Sequence, residues 1–195
     1  MTTRMTSTST IDGDNASLKA AAKASGGELP RHAPLPVTGP ALRIARESPR
    51  QPAVIALLDQ SDAYMNALYP PESNHLLGVT ALEHPAVDFL VARRASMVVG
   101  CGALVPAEDG SGEIKRLFVC AQARGTKVGY RLMTGLQDRA LARGLHTLRL
   151  EAGVHQPEAL ALYRGLGFRE IGPFGNYLPD PLSVFMEKKL AAAAD

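Results

Sequence analysis

Cysteine, concentrated charge and long apolar runs are all scarce in this chain of 195 residues. Its two cysteines, Cys101 and Cys120, lie far apart and form no CxxC pair, which argues against a zinc site or a disulfide framework and fits a reducing cytosol. No apolar stretch approaches the roughly 18 residues of a membrane span. The net charge of +2 is small and the basic residues are spread out, which argues against nucleic-acid binding. We therefore expect one cytoplasmic domain that needs no metal, membrane or nucleic acid.

Large apolar residues are also scarce in the first 40 residues, which are rich in Thr, Ser, Ala, Gly and Pro. A segment of this composition cannot bury enough apolar surface to fold, so we expect residues 1–40 to form a disordered extension. The extension lacks the apolar core of a secretion signal, and its acidic residues argue against an organelle transit peptide. Residues 191–195 are predicted to be a frayed tail, which leaves 41–190 as the folded domain.

The rest of the chain alternates between strand-like and helix-like patterns. The predicted strands cover 41–46, 87–93, 96–106, 113–119, 145–151, 168–172 and 182–188. Apolar residues at helical spacing predict helices over 51–68, 128–143 and 157–165, with a short helical piece within 76–82. Ser48 and Pro49 are typical of the cap and first turn of the first long helix. This order predicts an α/β fold in which helices flank a mixed central β-sheet.

One stretch, VCAQARGTKVGYRLM, joins the fourth predicted strand to a helix through a basic, glycine-rich turn. Backbone N–H groups at a helix start lack helical partners and lie at the positive end of the helix dipole, so they bind phosphate. Gly125 and Gly129 permit close approach of a ligand, and Arg124 and Lys127 add positive charge. The turn matches neither the Walker A loop nor the GxGxxG dinucleotide motif. From the turn alone, a phosphate site and a plain strand–helix connection both stay open.

This turn, followed by ALALYRGLGF, resembles the GNAT superfamily of acetyl-CoA-dependent N-acetyltransferases. Arg124 and Gly129 match the family signature Arg/Gln-x-x-Gly-x-Gly/Ala, and LYRGLGF is similar to the family's Leu-Tyr-x-x-x-Gly-Phe segment. Two positions depart from the pattern: Lys127 replaces the first signature glycine, and Gln156 stands where the family has Asn. The resemblance covers 41–190 and is to small bacterial members of unassigned substrate. It implies the GNAT fold and acetyl-CoA as the cofactor.

The resemblance also implies where acetyl-CoA binds, in a V-shaped gap between strands 113–119 and 145–151. The strand edge would hold the pantetheine arm, and the backbone N–H groups of 125–130 would hold the pyrophosphate. The cofactor residues implied in this way are Leu117, Phe118, Val119, Arg124, Gly125, Thr126, Lys127, Val128, Gly129, Tyr130, Gln156, Ala159 and Tyr163. We expect the helix to begin at Lys127 with ordinary backbone angles, since positive φ would cost a lysine roughly 1 kcal/mol.

The implied reaction needs a base for the amine, a donor for the oxyanion and an acid for the CoA thiolate. Tyr163 matches the family's tyrosine, and a phenol that is protonated at pH 7 suits the acid, although the same residue also fits core packing. Glu113 matches a glutamate that acts as base through water in histone-acetylating relatives, and Glu151 is its rival. Either glutamate would also be ordinary as an exposed strand-end charge. A backbone N–H near Phe118 or Val119 is expected to meet the oxyanion.

The acceptor pocket falls in the segments that vary most within the family. Its candidate residues are Tyr69, Glu72, Asn74, His75, Arg116, Asn176 and Tyr177. If strand 113–119 is regular, Arg116 faces away from Glu113, Lys115 and Leu117, and it either anchors a substrate carboxylate or pairs with an acidic neighbour.

These features favour direct acetyl transfer, in a ternary complex, to the primary amine of a small molecule or an amino acid-like acceptor. The alternatives are a regulatory module that binds acyl-CoA with little turnover, and a protein lysine or N-terminal acetyltransferase. Pairing of strand 182–188 across a homodimer would be in keeping with the family.

Overall fold

The computed structural model describes residues 40–190; the predicted disordered extension and frayed tail lie outside the described residues. The strands are β1 (Leu42–Arg46), β2 (Asp88–Arg94), β3 (Met97–Pro106), β4 (Ser111–Val119), β5 (Thr147–Gly153), β6 (Arg169–Ile171) and β7 (Ser183–Lys189). The α-helices are α1 (Pro52–Leu68), α2 (Val79–Leu82), α3 (Val128–Ala142) and α4 (Pro157–Gly165). Short 3-10 turns cover Pro71–Ser73 and Ala121–Ala123.

The strands form one seven-stranded sheet in the order β1-β2-β3-β4-β5-β7-β6. β4 and β5 pair in parallel, whereas the other neighbouring pairs are antiparallel. The parallel pairing joins only Ser111–Ile114 to Thr147–Leu150, so the two strands separate toward their carboxyl ends. The mixed sheet with flanking helices confirms the predicted fold class, and a gap opens between the two strands where the family resemblance implied one.

Helix α3 packs its apolar stripe against one face of the sheet. Leu132 and Leu136 are fully buried, as the four-residue spacing of apolar residues predicted, and Met133 is buried beside them. The helix comes close because glycines lie beneath it: a Cβ on Gly100 would be 3.1 Å from Leu132 Cδ1, and one on Gly102 would be 3.0 Å from Leu136 Cδ1. Burial of each leucine stabilises the fold by about 1.5–3 kcal/mol.

Helix α1 covers the opposite face of the sheet. Its buried residues are Val54, Leu57, Leu58 and Ser61. The predicted start at Ser48 and Pro49 is wrong, because Gln51 is the N-cap and Pro52 is the first helical residue. Ser48 Oγ instead accepts a hydrogen bond from the backbone N–H of Arg50 (3.2 Å). Consecutive prolines after Tyr69 end the helix, as expected from their missing N–H groups.

A β-bulge in β4 breaks the regular alternation that the sequence suggested. The register with β3 shifts between Cys101 and Ala103, so Arg116 and Leu117 both lie opposite Gly102. Arg116 has a φ of 56°, in the left-handed region that costs about 1–2 kcal/mol for residues other than glycine. The expectation of a regular strand is therefore wrong: Leu117 packs on the α3 face beneath Gly102, and Arg116 turns toward α1.

Candidate active site

Beyond the last parallel pair, β4 presents an unpaired backbone edge toward β5. The N–H of Cys120 bonds to the carbonyl of Val99 on β3 (3.0 Å), and backbone groups alternate in direction along a strand. Phe118 therefore also directs its N–H toward β3, whereas the N–H and carbonyl of Val119 point into the gap. Arg124 Nε donates to that carbonyl (3.3 Å). The Val119 N–H is thus the strand-end donor that faces the gap.

The basic turn after β4 has two residues in the left-handed conformation. Gly125 has a φ of 75° and Lys127 a φ of 62°. Lys127 is the N-cap of α3, which begins at Val128, so the expectation that the helix begins at Lys127 with ordinary angles is wrong. The first bond of the helix runs from the Arg131 N–H to the Lys127 carbonyl (3.0 Å). The N–H groups of residues 128–130, in the first turn of the helix, therefore lack helical partners.

This turn fits the pyrophosphate of a CoA-type cofactor. A Cβ on Gly125 would meet nothing within 4 Å, so the surface beside it is open to a ligand. Gly129 differs, because a Cβ there would lie 3.2 Å from Leu162 Cδ2, and its absence lets α3 pack closely on α4. Unpaired N–H groups and the positive helix end both favour an anion at this place.

The side chains of Arg124 and Thr126 make contacts within the protein. The Arg124 guanidinium stacks over the rings of Tyr64 (4.9 Å) and Phe118 (5.9 Å), which places its charge beside the gap and against α1. Thr126 Oγ1 donates to the Ala123 carbonyl (2.7 Å) and closes the turn. Of the other residues implied for the cofactor, Val128 is buried, Ala159 is half-buried and Tyr130 is exposed.

Helix α4 presents the tyrosine that the sequence singled out. Gln156 is the N-cap residue, and its Oε1 accepts the Gly153 N–H (3.2 Å), so that amide oxygen already has a partner within the protein. Tyr163 is only 6% exposed, and its ring centroid lies 6.0 Å from that of Phe168. Burial, and then the negative charge of Glu151, raises the pKa of Tyr163. The phenol therefore keeps its proton at neutral pH, and its packing against Phe168 is compatible with the predicted acid role.

A pocket of about 1070 Å³ lies on the α1 face of the sheet. The predicted residues that line it are Glu72, His75, Glu113, Asn176 and Tyr177. Residues that the sequence did not single out line it too, among them Ser73, Glu108, Asp109, Ser111, Lys115, Arg149, Phe174, Leu178 and Asp180. The predicted residues outside its lining are Tyr69, Asn74, Arg116 and Glu151. The pocket therefore combines three connecting segments, after α1, between β3 and β4 and between β6 and β7, with the polar face of β4 and β5.

Glu113 meets a tyrosine and a lysine inside this pocket. Its Oε1 accepts a hydrogen bond from the Tyr177 hydroxyl (2.6 Å) and lies 3.1 Å from Lys115 Nζ. Lys115 also donates to the Tyr177 hydroxyl oxygen and lies 5.0 Å from the ring centroid. Burial, followed by the bond to Glu113, raises the pKa of Tyr177. Tyr177 packs edge-on against His75 and Phe174, with centroids 5.0 and 5.1 Å away.

A second ion-pair cluster stands next to the first. Arg149 Nε donates to Glu187 (2.9 Å) and its Nη1 donates to Asp109 (2.7 Å). Ser111 also bonds to Asp109, and these bonds, with Ser111 first and Arg149 next, hold the pKa of that carboxyl below its usual value. Sequence reasoning missed this cluster. The two-residue strand period predicts only which side chains share a face, and the register that sets Arg149 beside Glu113 is seen in the structure alone.

The predicted residues outside the pocket have structural partners. The Tyr69 hydroxyl accepts the His155 backbone N–H (2.8 Å) and its ring stacks on that histidine. Asn74 Nδ2 donates to Asn66 Oδ1 (3.0 Å). Glu151 accepts the Ser183 hydroxyl (2.7 Å). Arg116 Nη1 pairs with Asp62 at 2.5 Å, which is the acidic-neighbour alternative for that residue.

Within residues 40–190, no group of three or more His, Cys, Asp or Glu side chains is arranged to hold a metal ion. Over the same range, no helix combines the length and the apolar character needed to cross a membrane.

Comparisons with known proteins agree with this geometry. Residues 54–168 match the model of the acetyltransferase (GNAT) family. The chain is 54% identical over 152 residues to an IAA acetyltransferase of Azospirillum brasilense, covering 77% of this chain and 99% of that protein. It is 35% identical over 139 residues to the uncharacterized N-acetyltransferase YsnE of Bacillus subtilis, covering 70% and 92%.

Solved structures show the same architecture. A provisionally assigned acyl-CoA N-acyltransferase of Klebsiella pneumoniae aligns with a TM-score of 0.66 at 39% identity, over 77% of this chain and 98% of that one. The PaiA N-acetyltransferase of Thermoplasma acidophilum, solved with coenzyme A, shares the fold with a TM-score of 0.61 at 18% identity, over 77% and 99%. The chain belongs to the GNAT family of acetyltransferases, enzymes that use acetyl-CoA as the acetyl donor.

Proposed function

We propose that this protein transfers an acetyl group from acetyl-CoA directly to the primary amine of a small-molecule or amino acid-like acceptor within a ternary complex. The observation that carries the proposal is the pocket of about 1070 Å³ with Glu113 on its sheet face. Its volume is of the order found for small-molecule sites, and loops on two sides bound it. The name of the Azospirillum relative, an IAA acetyltransferase, also supports a small acceptor.

The residues that would hold acetyl-CoA are mostly backbone groups. The N–H groups around 125–130 would bind the pyrophosphate, and the free edge of β4 at Val119 would bind the pantetheine arm. Lys127 and Arg124 add positive charge at the same turn. Acetyl-CoA supplies an activated acetyl group as a thioester, whose transfer to an amine makes an amide and leaves a thiol.

The protein's own contribution is to move protons and to stabilise charge. Glu113 takes a proton from the acceptor's ammonium, so that the nitrogen lone pair can form the new bond to the acetyl carbon. A backbone N–H on the free edge of β4 beyond Ile114 meets the negative charge that develops on the carbonyl oxygen. Tyr163 gives its phenolic proton to the sulfur as the carbon–sulfur bond breaks. The tyrosine regains a proton afterwards, and one proton is released per turnover.

Glu113 is preferred to Glu151 as the base for a geometric reason. Glu113 lines the acceptor pocket, whereas Glu151 lies outside its lining and is held by the hydroxyl of Ser183 (2.7 Å). A base must come within hydrogen-bond reach of the proton that it removes, directly or through one water.

The test is release of CoA thiol with a panel of small primary amines, measured beside acetyl-CoA affinity. We expect turnover with at least one small amine. Tight acetyl-CoA binding without turnover of any amine would favour the regulatory module, and turnover of peptide lysines or N-termini alone would favour a protein acetyltransferase.

A further inference from the structure

Lys115 holds its ammonium group inside the acceptor pocket. Its Nζ lies 3.1 Å from Glu113 Oε1 and 3.4 Å from the His75 carbonyl, and it donates to the Tyr177 hydroxyl oxygen. An ammonium group has three N–H donors, and these three acceptors account for all of them. The Tyr177 ring adds a cation–π contact at 5.0 Å. The pocket therefore already binds one ammonium, that of its own lysine.

The acceptor's amine has to reach the same carboxylate. Glu113 and Lys115 are poorly exposed, with side chains 20% and 16% accessible, and both recorded contacts of Glu113 are made to Oε1. Two ammonium groups at one carboxylate repel each other, and a displaced Lys115 loses its one carboxylate partner among the described residues. An acceptor that brings only an amine therefore either places a second positive charge beside Lys115 or displaces the lysine from its ion pair.

An acceptor that also carries a carboxylate avoids this loss. Its ammonium can take the place of Lys115 at Glu113, and its carboxylate can pair with the freed Lys115. The internal ion pair is then exchanged for two pairs with the ligand, and no charge is stranded in the pocket.

We propose that Lys115 determines acceptor specificity and that the acceptors are amino acids, with the ammonium bound at Glu113 and the carboxylate at Lys115. This inference rests on the proposed function and narrows its substrate class. Lys115 lies outside the two motifs that carry the family resemblance, and the inference follows from the contacts that Lys115 makes in this chain.

The carboxylates at the pocket rim offer the rival outcome. Glu72, Glu108 and Asp180 line the pocket without a lysine or arginine partner among the described residues, and they would favour an acceptor with two amines. Glu72 and Glu108 are exposed, so water and salt screen their charge. The pair of Glu113 and Lys115 is less accessible to solvent, so water and salt screen it less. We therefore expect this pair, rather than the rim carboxylates, to determine which acceptor binds.

The experiment compares amino acids with the amines that lack only the carboxylate. The pairs are L-phenylalanine with 2-phenylethylamine, L-leucine with 3-methylbutylamine, and L-lysine with 1,5-diaminopentane. Thiol release gives kcat/KM, and calorimetry in the presence of CoA gives acceptor affinity. Both are measured for the full chain, for Lys115→Met, for the charge-preserving Lys115→Arg, and for Arg43→Met, which removes an exposed cation from an ion pair on β1.

We expect at least one amino acid to be favoured over its amine by about 10-fold or more in the unaltered protein and in Arg43→Met. Lys115→Met should bring that ratio close to one by weakening the amino acid and improving the amine, and Lys115→Arg should keep a preference. Because each ratio compares the same two compounds in different variants, differences in amine basicity cancel.

The inference is overturned if no pair shows a carboxylate preference, the diamine outcome being that 1,5-diaminopentane is favoured over L-lysine, or if Lys115→Met keeps the preference. Should Lys115→Met fail to fold, the ratios for the unaltered protein and Lys115→Arg decide alone. The two readouts also separate this inference from the proposed function. If amino acids bind more tightly than their amines but no thiol is released, the proposed acetyl transfer is contradicted and the role of Lys115 in specificity is not. If thiol is released without any preference for amino acids, only the role of Lys115 in specificity is contradicted.

Discussion

The two sides of the gap between β4 and β5 are built from different parts of the chain. The proposed cofactor side uses backbone groups from one continuous stretch, the end of β4 and the turn at 124–130. The proposed acceptor side uses side chains from separate segments, brought together by the register of β4 with β5 and by loops. A backbone site leaves a compact sequence motif, whereas a side-chain site of this kind is visible only in the folded protein.

Tyr163→Phe is expected to have the largest effect on kcat relative to its effect on acetyl-CoA affinity. Removal of the phenolic proton should lower kcat by about 100- to 1000-fold and change acetyl-CoA affinity by less than about threefold. The raised pKa keeps this proton in place beyond pH 10, so loss of the acid should not reduce the rate of the unaltered enzyme between pH 8 and 10. Steady-state kinetics and calorimetry measure the two effects; equal losses in both would leave Tyr163 with a packing role only.

Glu113→Gln should act on the acceptor side of the same reaction. At pH 7 we expect a loss of about 100-fold in kcat, because the variant cannot take the ammonium proton. The loss should shrink toward pH 9, where more of the acceptor is already unprotonated, so the rate of the variant should rise with pH more steeply than that of the unaltered enzyme. Glu151→Gln is the matched control and should cost less. A pH profile unchanged by Glu113→Gln would move the base to Glu151 or to water.

Gly153→Ala tests how tightly the elements around the gap fit together. A Cβ at this position would lie 2.0 Å from the Tyr69 hydroxyl oxygen, so the ring must move and its bond from the His155 N–H is strained or lost. We expect the free energy of unfolding to fall by about 2 kcal/mol. Gly172→Ala is the control, since nothing lies within 4 Å of its added Cβ. Urea denaturation measures both, and equal stabilities would contradict the close contact.

Lys127→Gly is expected to have the smallest effect. It tests whether backbone N–H groups, rather than the lysine charge, hold the pyrophosphate. Relief of the φ of 62° should raise the free energy of unfolding by about 0.5–1 kcal/mol. If backbone N–H groups hold the pyrophosphate, CoA affinity should change by less than about threefold. Lys127→Ala removes the charge but keeps the strained angle, so it separates the two causes. A loss of about 10-fold in CoA affinity in both variants would show that the lysine charge matters.

Most of the fold was predictable because each element carries its own local pattern. The apolar spacing of α3 and the alternation of β7 predicted those elements close to their observed bounds. The bulge at Arg116 and the positive φ of Lys127 were not predictable, because tertiary packing imposes both on residues that disfavour the left-handed region.

The acceptor side was predictable only in part. Glu113 and Tyr177 were both candidates, but their contact depends on how the β6–β7 loop folds back over β4. Lys115 carries no motif, and its position follows from the two-residue period of β4 only once the pocket face is known. Tyr69 was a pocket candidate from its place after α1, yet its hydroxyl is turned to the backbone of His155.

The parallel pairing of β4 with β5 covers four residue pairs and then stops. The sheet therefore consists of two antiparallel ribbons, β1–β4 and β5–β7, joined along a short seam. A ligand that hydrogen-bonds to the free edge of β4 extends that seam. Its binding energy therefore also stabilises the two ribbons against separation. Amides that face the gap, that of Val119 first, should exchange with solvent quickly in the free enzyme and slowly once CoA is bound.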